Sequence, residues 1–275
     1  MRFVAVGDVM VDVLCSRTPP PGQRVHGNTV VRAGGSAVNA AFAATNEGAN
    51  ASVIGRIGKD AGGELVLAGL RARGVAPKLT RDTDLATGVA VSLQEGETIS
   101  VVADRGANAA LSRDDVPATL EADALLVSGF ALFQSGSSEA GQAALARFAG
   151  KWAGVDLATP GLAAQADLGF AANVLFATAD EAKAATGSDP ETAARQLAAR
   201  FEIVCVKLGV DGALAVRGGR LERAAADSRD RATPFGAGDS FAAVFLIALA
   251  TGVDLADGLA RACEAGARAA ESGYL

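Results

Sequence analysis

Cysteine, histidine and aromatic side chains are scarce in this chain. Three cysteines (Cys15, Cys205, Cys263) and one histidine (His26) are spread over 275 residues. They are too few and too scattered to build a metal cluster. Their odd number and their apolar or helical settings read as reduced core thiols of a cytosolic protein. One histidine, in a Pro/Gly-rich segment, leaves a serine-hydrolase triad without its parts. Aromatics are 5% of the chain, so there is no platform on which bases could stack. Positive charge is in the minority, 25 Lys and Arg against 31 Asp and Glu for a net −6. That balance argues against non-specific nucleic-acid or anionic-membrane partners. No apolar run is long enough to span a bilayer, and the N-terminal MRFVAVGDVMVDVL lacks the core and cleavage site of a secretory leader. A cytoplasmic location is expected.

What is present is half hydrophobic, with 33 glycines, enough for one large α/β domain with a small appendage. Phe3 to Val6 reads as a first buried strand. Val25 to Ala33 reads as an edge strand, and Ser36 as the cap of a helix running through Phe42 and Thr45. Asp60 to Arg73 reads as a helix. Residues 75–102 change texture: alternating segments flank Glu95-Gly96-Glu97, a hairpin signal. Strands are then expected at 124–127, 154–156, 174–176 and 203–207 with helices between. An antiparallel pair at 213–225 and two closing helices follow. Such repeated strand–helix units predict a mostly parallel sheet covered on both faces.

The segment that carries chemistry is Gly236-Ala237-Gly238-Asp239-Ser240-Phe241, which opens an apolar helix. Two glycines bring backbone N–H groups close to a ligand, and a helix N-terminus favours an anion. Donors so placed stabilise a phosphoryl group in transfer, and Asp239 in the same turn can accept the proton of an attacking hydroxyl. The plain alternative is that Asp239 is an acid favoured by the helix dipole. Other nucleotide loops do not fit. Gly58-Lys59 is followed by Asp60 where a Walker loop needs Ser or Thr, and Phe241 stands where a dinucleotide fingerprint needs Gly.

Gly34-Gly35-Ser36-Ala37-Val38-Asn39-Ala40-Ala41, continuing to Ile57-Gly58-Lys59-Asp60-Ala61-Gly62-Gly63, resembles the first signature of the PfkB (ribokinase-like) carbohydrate kinases. Gly236 to Phe241 resembles their second. Gly7-Asp8, Asp12, the hairpin and Lys207-Leu208-Gly209-Val210-Asp211-Gly212-Ala213 match between and around them, so the resemblance covers essentially the whole chain. It implies a ribokinase-like α/β fold over residues 1–275, with a small β lid formed from about 12–33 and 75–105. It implies an ATP- and Mg2+-dependent kinase acting on a sugar-like small molecule, and it is compatible with a homodimer through the lid. Asp239 would be the base, with Gly236, Ala237 and Gly238 as the anion hole. Asp12, at the end of the first strand, would bind substrate hydroxyls with Gly34, Gly35 and Asn39. Arg105 and Asn108 would face the substrate, Arg105 meeting a carboxylate if the substrate is a sugar acid and otherwise lying solvated on the surface. Lys207, Gly209 and Gly212 would border the nucleotide, Lys207 on a phosphate or simply on the surface. Glu181, in Thr178-Ala179-Asp180-Glu181, would order water around magnesium or serve as an ordinary first-turn acid. The chain departs from the family at Thr178 and at Thr233-Pro234-Phe235, which leaves K+ activation without the usual aspartate. A nucleoside kinase of the same fold, or a weakly active nucleotide-binding regulator, are the competing readings.

Overall fold

The structure, a computed structural model, describes residues 1–95, 98–226 and 235–271. The chain opens with β1 (Arg2–Val6), β2 (Met10–Cys15), β3 (Thr29–Gly34), α1 (Ser36–Asn46), β4 (Asn50–Gly58) and α2 (Ala61–Ala72). It continues with β5 (Ala76–Asp82), β6 (Thr87–Glu95), β7 (Thr98–Gly106), β8 (Ala124–Ser128), α3 (Gly129–Phe133), α4 (Ser138–Arg147) and β9 (Trp152–Asp156). Then come α5 (Pro160–Ala163), β10 (Val174–Thr178), α6 (Ala179–Thr186), α7 (Pro190–Leu197) and β11 (Ile203–Lys207). The antiparallel β12 (Ala213–Arg217) and β13 (Arg220–Ala224) precede the closing helices α8 (Ala237–Ala250) and α9 (Leu255–Glu271).

These strands form two sheets. Nine make the large one, in the order β13-β12-β11-β10-β9-β8-β1-β4-β5, parallel from β11 to β5. The central strands β8 and β10 are apolar up to their last residue, because helices cover both of their faces. One core lies on the α1, α2, α8 and α9 side and a second on the side of α3, α4, α6 and α7. Helix α8 is buried on nearly every face because it packs on the sheet, on α1 and on α9 at once. Phe241 and Phe245 meet Phe176 of β10 edge-on. The second sheet has four strands, β3-β2-β6-β7, and supplies the small β element expected over the body.

Three local expectations change. Asp12 lies within β2 of the small sheet, not at the end of the first strand, because the chain turns at Gly7–Val9 and leaves the large sheet. Segment 76–82, within the stretch assigned to the lid, pairs in parallel with β4 and forms the edge of the large sheet. Gly35, not Ser36, is the residue before the first turn of α1. Of the turn expected at Glu95-Gly96-Glu97, residues 96–97 lie outside the described residues; β6 and β7, which flank it, pair antiparallel as expected.

Candidate active site

Gly236 adopts a left-handed φ of 74°, and a Cβ there would press to 3.2 Å from Asn39 Cγ. Only glycine takes this turn readily. It brings Asp239 into the first turn of α8, whose amides have no side-chain cap and so stay available to an anion. Asn39, on α1, donates from Nδ2 to Asp239 Oδ2 at 3.0 Å. Asp239 keeps a partial opening to solvent, yet protein atoms crowd its carboxyl. Burial, reinforced by the nearby charges of Asp156 and Asp12, pushes its pKa up to about 7 against the pull of the Asn39 hydrogen bond and Lys207.

Beside it lies a charged group set on the ends of β9 and β11 and the first turn of α6. Lys207, the last residue of β11, places Nζ 2.6 Å from Asp156 Oδ2 at the end of β9. The two side chains are 13% and 12% exposed, which overturns a surface position for Lys207. Burial opposes its charge, but Asp156, Glu181 and Asp239 outweigh that and raise its pKa. Glu181 is buried, and both burial and Asp156 raise its pKa. Its Oε2 accepts from the Thr178 amide at 2.8 Å while Thr178 Oγ1 accepts from the Glu181 amide at 3.2 Å. This capping box accounts for threonine at position 178. Asp156 escaped the sequence reading. Its only signal was an acid at the carboxyl end of an apolar strand, where open α/β sheets bind ligands. Between Asp239, Asp156, Ser36 and Ser128 a void of about 10 Å3 remains. Ser36 Oγ, which belongs to a residue lining it, is buried without a hydrogen-bond partner among the described residues.

Lys207, Gly209, Gly212, Gly238 and Asp180 border a cleft of about 460 Å3, walled by Phe241, Cys263 and Ala267. A lining that combines Lys207 and backbone glycines with apolar side chains suits a ligand that joins a phosphate to a flat ring.

On the small-sheet side, Asp12 is buried, and desolvation raises its pKa to about 6 against the opposing charge of Arg32. A Cβ at Gly34 would overlap its carboxylate. Gly35, at φ 91°, could carry no Cβ without striking the Asp8 carbonyl. The charge of Asp12 is felt at Asp239 and adds to the rise of its pKa. Asn39, expected on substrate hydroxyls, commits one amide donor to Asp239. Arg105 is corrected more fully. It is neither solvated nor waiting for a substrate carboxylate. Its Nε and Nη2 hold Asp8 at 2.9 and 2.6 Å, and Nη2 also donates to the Phe130 carbonyl and Ser137 Oγ. Asn108 is likewise turned to structure: it accepts from the Val9 amide at 2.9 Å and donates to the carbonyls of Val9 and Arg105. Phe235 is described; Thr233 and Pro234 lie outside the described residues.

The family profile described as pfkB family carbohydrate kinase matches residues 2–274. A 5-dehydro-2-deoxygluconokinase of Shouchella clausii is 28% identical over 92% of this chain and 84% of its own length. Among solved structures, an adenosine kinase from Sinorhizobium meliloti superposes with a TM-score of 0.85 at 22% identity, covering 96% of this chain and 92% of that one. A fructokinase from Vibrio cholerae, solved with fructose, ADP and calcium, gives a TM-score of 0.81 at 23% identity, covering 98% and 92%.

Proposed function

The chain belongs to the pfkB family of carbohydrate kinases, and we propose that it transfers the terminal phosphoryl group of ATP to a hydroxyl of a sugar or sugar derivative, with Asp239 as the general base. As a member of that family it is a phosphotransferase with an alcohol group as acceptor. The observation that carries the assignment to Asp239 is its setting: a carboxyl with a pKa of about 7, oriented by Asn39, in the first turn of an uncapped helix. A base with a pKa near the working pH is poised both to be free and to bind a proton.

The acceptor oxygen attacks the γ-phosphorus as its O–H proton passes to Asp239 and the bond to the ADP oxygen breaks. Amides of Ala237, Gly238 and Asp239 receive the charge spread over the phosphoryl oxygens. Lys207, within reach of Gly238, adds a positive charge on the nucleotide side. Asp12 and the bare backbone of Gly34 and Gly35 receive the remaining substrate hydroxyls. The small sheet acts as a lid that keeps water from the phosphoryl group.

Magnesium suits the buried carboxylates Asp156 and Glu181, which repel one another beside the cleft; they would hold it mainly through water, since Mg2+ keeps much of its hydration. When bound it neutralises phosphate charge. Thr178 does not by itself mark an inactive relative, because it caps the helix that carries Glu181.

The test is ATP-dependent transfer by wild type and Asp239→Asn over sugars, sugar acids and nucleosides. Nucleosides belong in the panel because an adenosine kinase shares the fold. Undiminished transfer by Asp239→Asn overturns the role of Asp239. Binding of ATP with no transfer to any acceptor favours a regulatory protein.

A further inference from the structure

A second cleft, also of about 460 Å3, lies among β3, α1, α2, α8 and α9 and has no part in the reaction so far. Helix α8 separates it from the nucleotide cleft: Ala237, Gly238 and Phe241 line one, Gly236, Ser240 and Val244 the other. These sets fall on different faces of one helix, so the two clefts approach Asp239 from different sides. At its inner end are Asn39, which holds Asp239, and Gly236, which starts its helix.

The charge in this cleft is one-sided. Arg32, Arg73 and Arg268 line it against one carboxylate, Glu47, and Glu47 is held by Arg268 at 2.9 Å. Arg73 lies over the Phe42 ring, 4.7 Å from its centroid. Arg32 makes no ion pair within 4.0 Å among the described residues, and its Nε is buried without a hydrogen-bond partner. Asp12 stands opposite it across β2 and β3 and acts on it only through space. A buried donor lacking an acceptor is rare in a finished site, and a guanidinium is the group best shaped to take a carboxylate or phosphate in two parallel bonds. Arg105 cannot do this, being spent on Asp8.

We infer that the phosphoryl acceptor carries an anionic group, a carboxylate or a phosphate ester, bound by Arg32 with Arg73 beside it, while its hydroxyls lie between Asp12 and Asp239. The inference rests on the kinase reading and narrows its substrate class.

Three six-carbon probes that differ in the anionic group test it: gluconate, glucitol 6-phosphate and neutral glucitol, bound calorimetrically to wild type, Arg32→Gln and Arg32→Lys. Wild type binds one of the anions roughly 10- to 100-fold tighter than glucitol, the worth of a charged hydrogen-bonded pair. Arg32→Gln erases that margin and leaves glucitol within about twofold, as expected where only the charged contact is removed. Arg32→Lys keeps the charge without the fork and restores part of the margin. It also serves in place of Arg32→Gln should that variant unfold. Whichever anion holds the margin identifies the group. No margin in wild type, or a margin untouched in both variants, overturns the inference. If transfer occurs and the ratio of efficiencies for anionic over neutral acceptors is the same in wild type and Arg32→Gln, the kinase reading stands and the inference falls. If the binding margin exists but no acceptor is phosphorylated, the site stands and the kinase reading falls.

Discussion

Two carboxylates, Asp8 and Asp239, have opposite surroundings. Asp8 is clamped by two guanidinium nitrogens of Arg105, which Ser137 and the Phe130 carbonyl hold in turn. Among the described residues Asp239 has one side-chain hydrogen bond, from Asn39, and the charges of Asp156 and Asp12 oppose its ionisation. The first carboxylate is saturated and keeps its geometry. The second is under-paired, and its pKa is raised. A carboxylate that is fully paired is poor at chemistry, and one that is poorly paired is expensive to keep unless it does some.

Removing the base breaks the comparison most severely. Asp239→Asn lowers kcat by about 10²–10⁴ with nucleotide binding retained, read by steady-state kinetics and calorimetry. Disabling the clamp on Asp8 has the reverse character. Arg105→Met leaves Asp8 buried without its counter-charge and costs about 3–5 kcal/mol of stability in urea unfolding, as for other broken buried pairs. A stability like that of wild type would mean that the clamp is idle. Asp12→Asn raises KM for the acceptor by about tenfold, through lost hydrogen bonds to hydroxyls, with a smaller change in kcat.

The subtlest effect is on stability against pH. The folded state raises the pKa of Asp239 from 3.8 to about 7, so it favours the protonated form. The charged form therefore weakens the fold. That penalty is absent below about pH 4, grows through pH 7 and is complete above it. Asp239→Asn should be stabilised relative to wild type at alkaline pH and much less so in acid, by roughly 2–4 °C in Tm for each kcal/mol recovered. Equal Tm differences across the range would mean that the carboxyl is not held neutral.

Much of this was readable beforehand because glycine positions and short signatures are local. Gly34-Gly35 and Gly236 to Asp239 are constrained by backbone geometry within a few residues, so sequence spacing suffices. The strand–helix alternation was legible for the same reason. Long-range pairing was not. Which arginine is spent and which is open depends on β3 pairing with β2 and on Arg105 reaching Asp8, 97 residues away. Nothing local distinguishes Arg32 from Arg105. Asp156 was hidden because its partner Lys207 lies 51 residues on and meets it only once β9, β10 and β11 align. The placement of β5 in the large sheet depends likewise on parallel pairing with β4, which alternation within 76–82 cannot reveal.

The most direct measurement is the pH dependence of kcat/KM for phosphoryl transfer, from about pH 5 to about pH 9, in wild type and Asp239→Asn. The wild-type profile should rise with pH on a limb centred near 7, the pKa set by burial of the Asp239 carboxyl, and that limb should vanish in the variant. A limb that survives unchanged in Asp239→Asn would contradict the account, because the proton would then be going elsewhere.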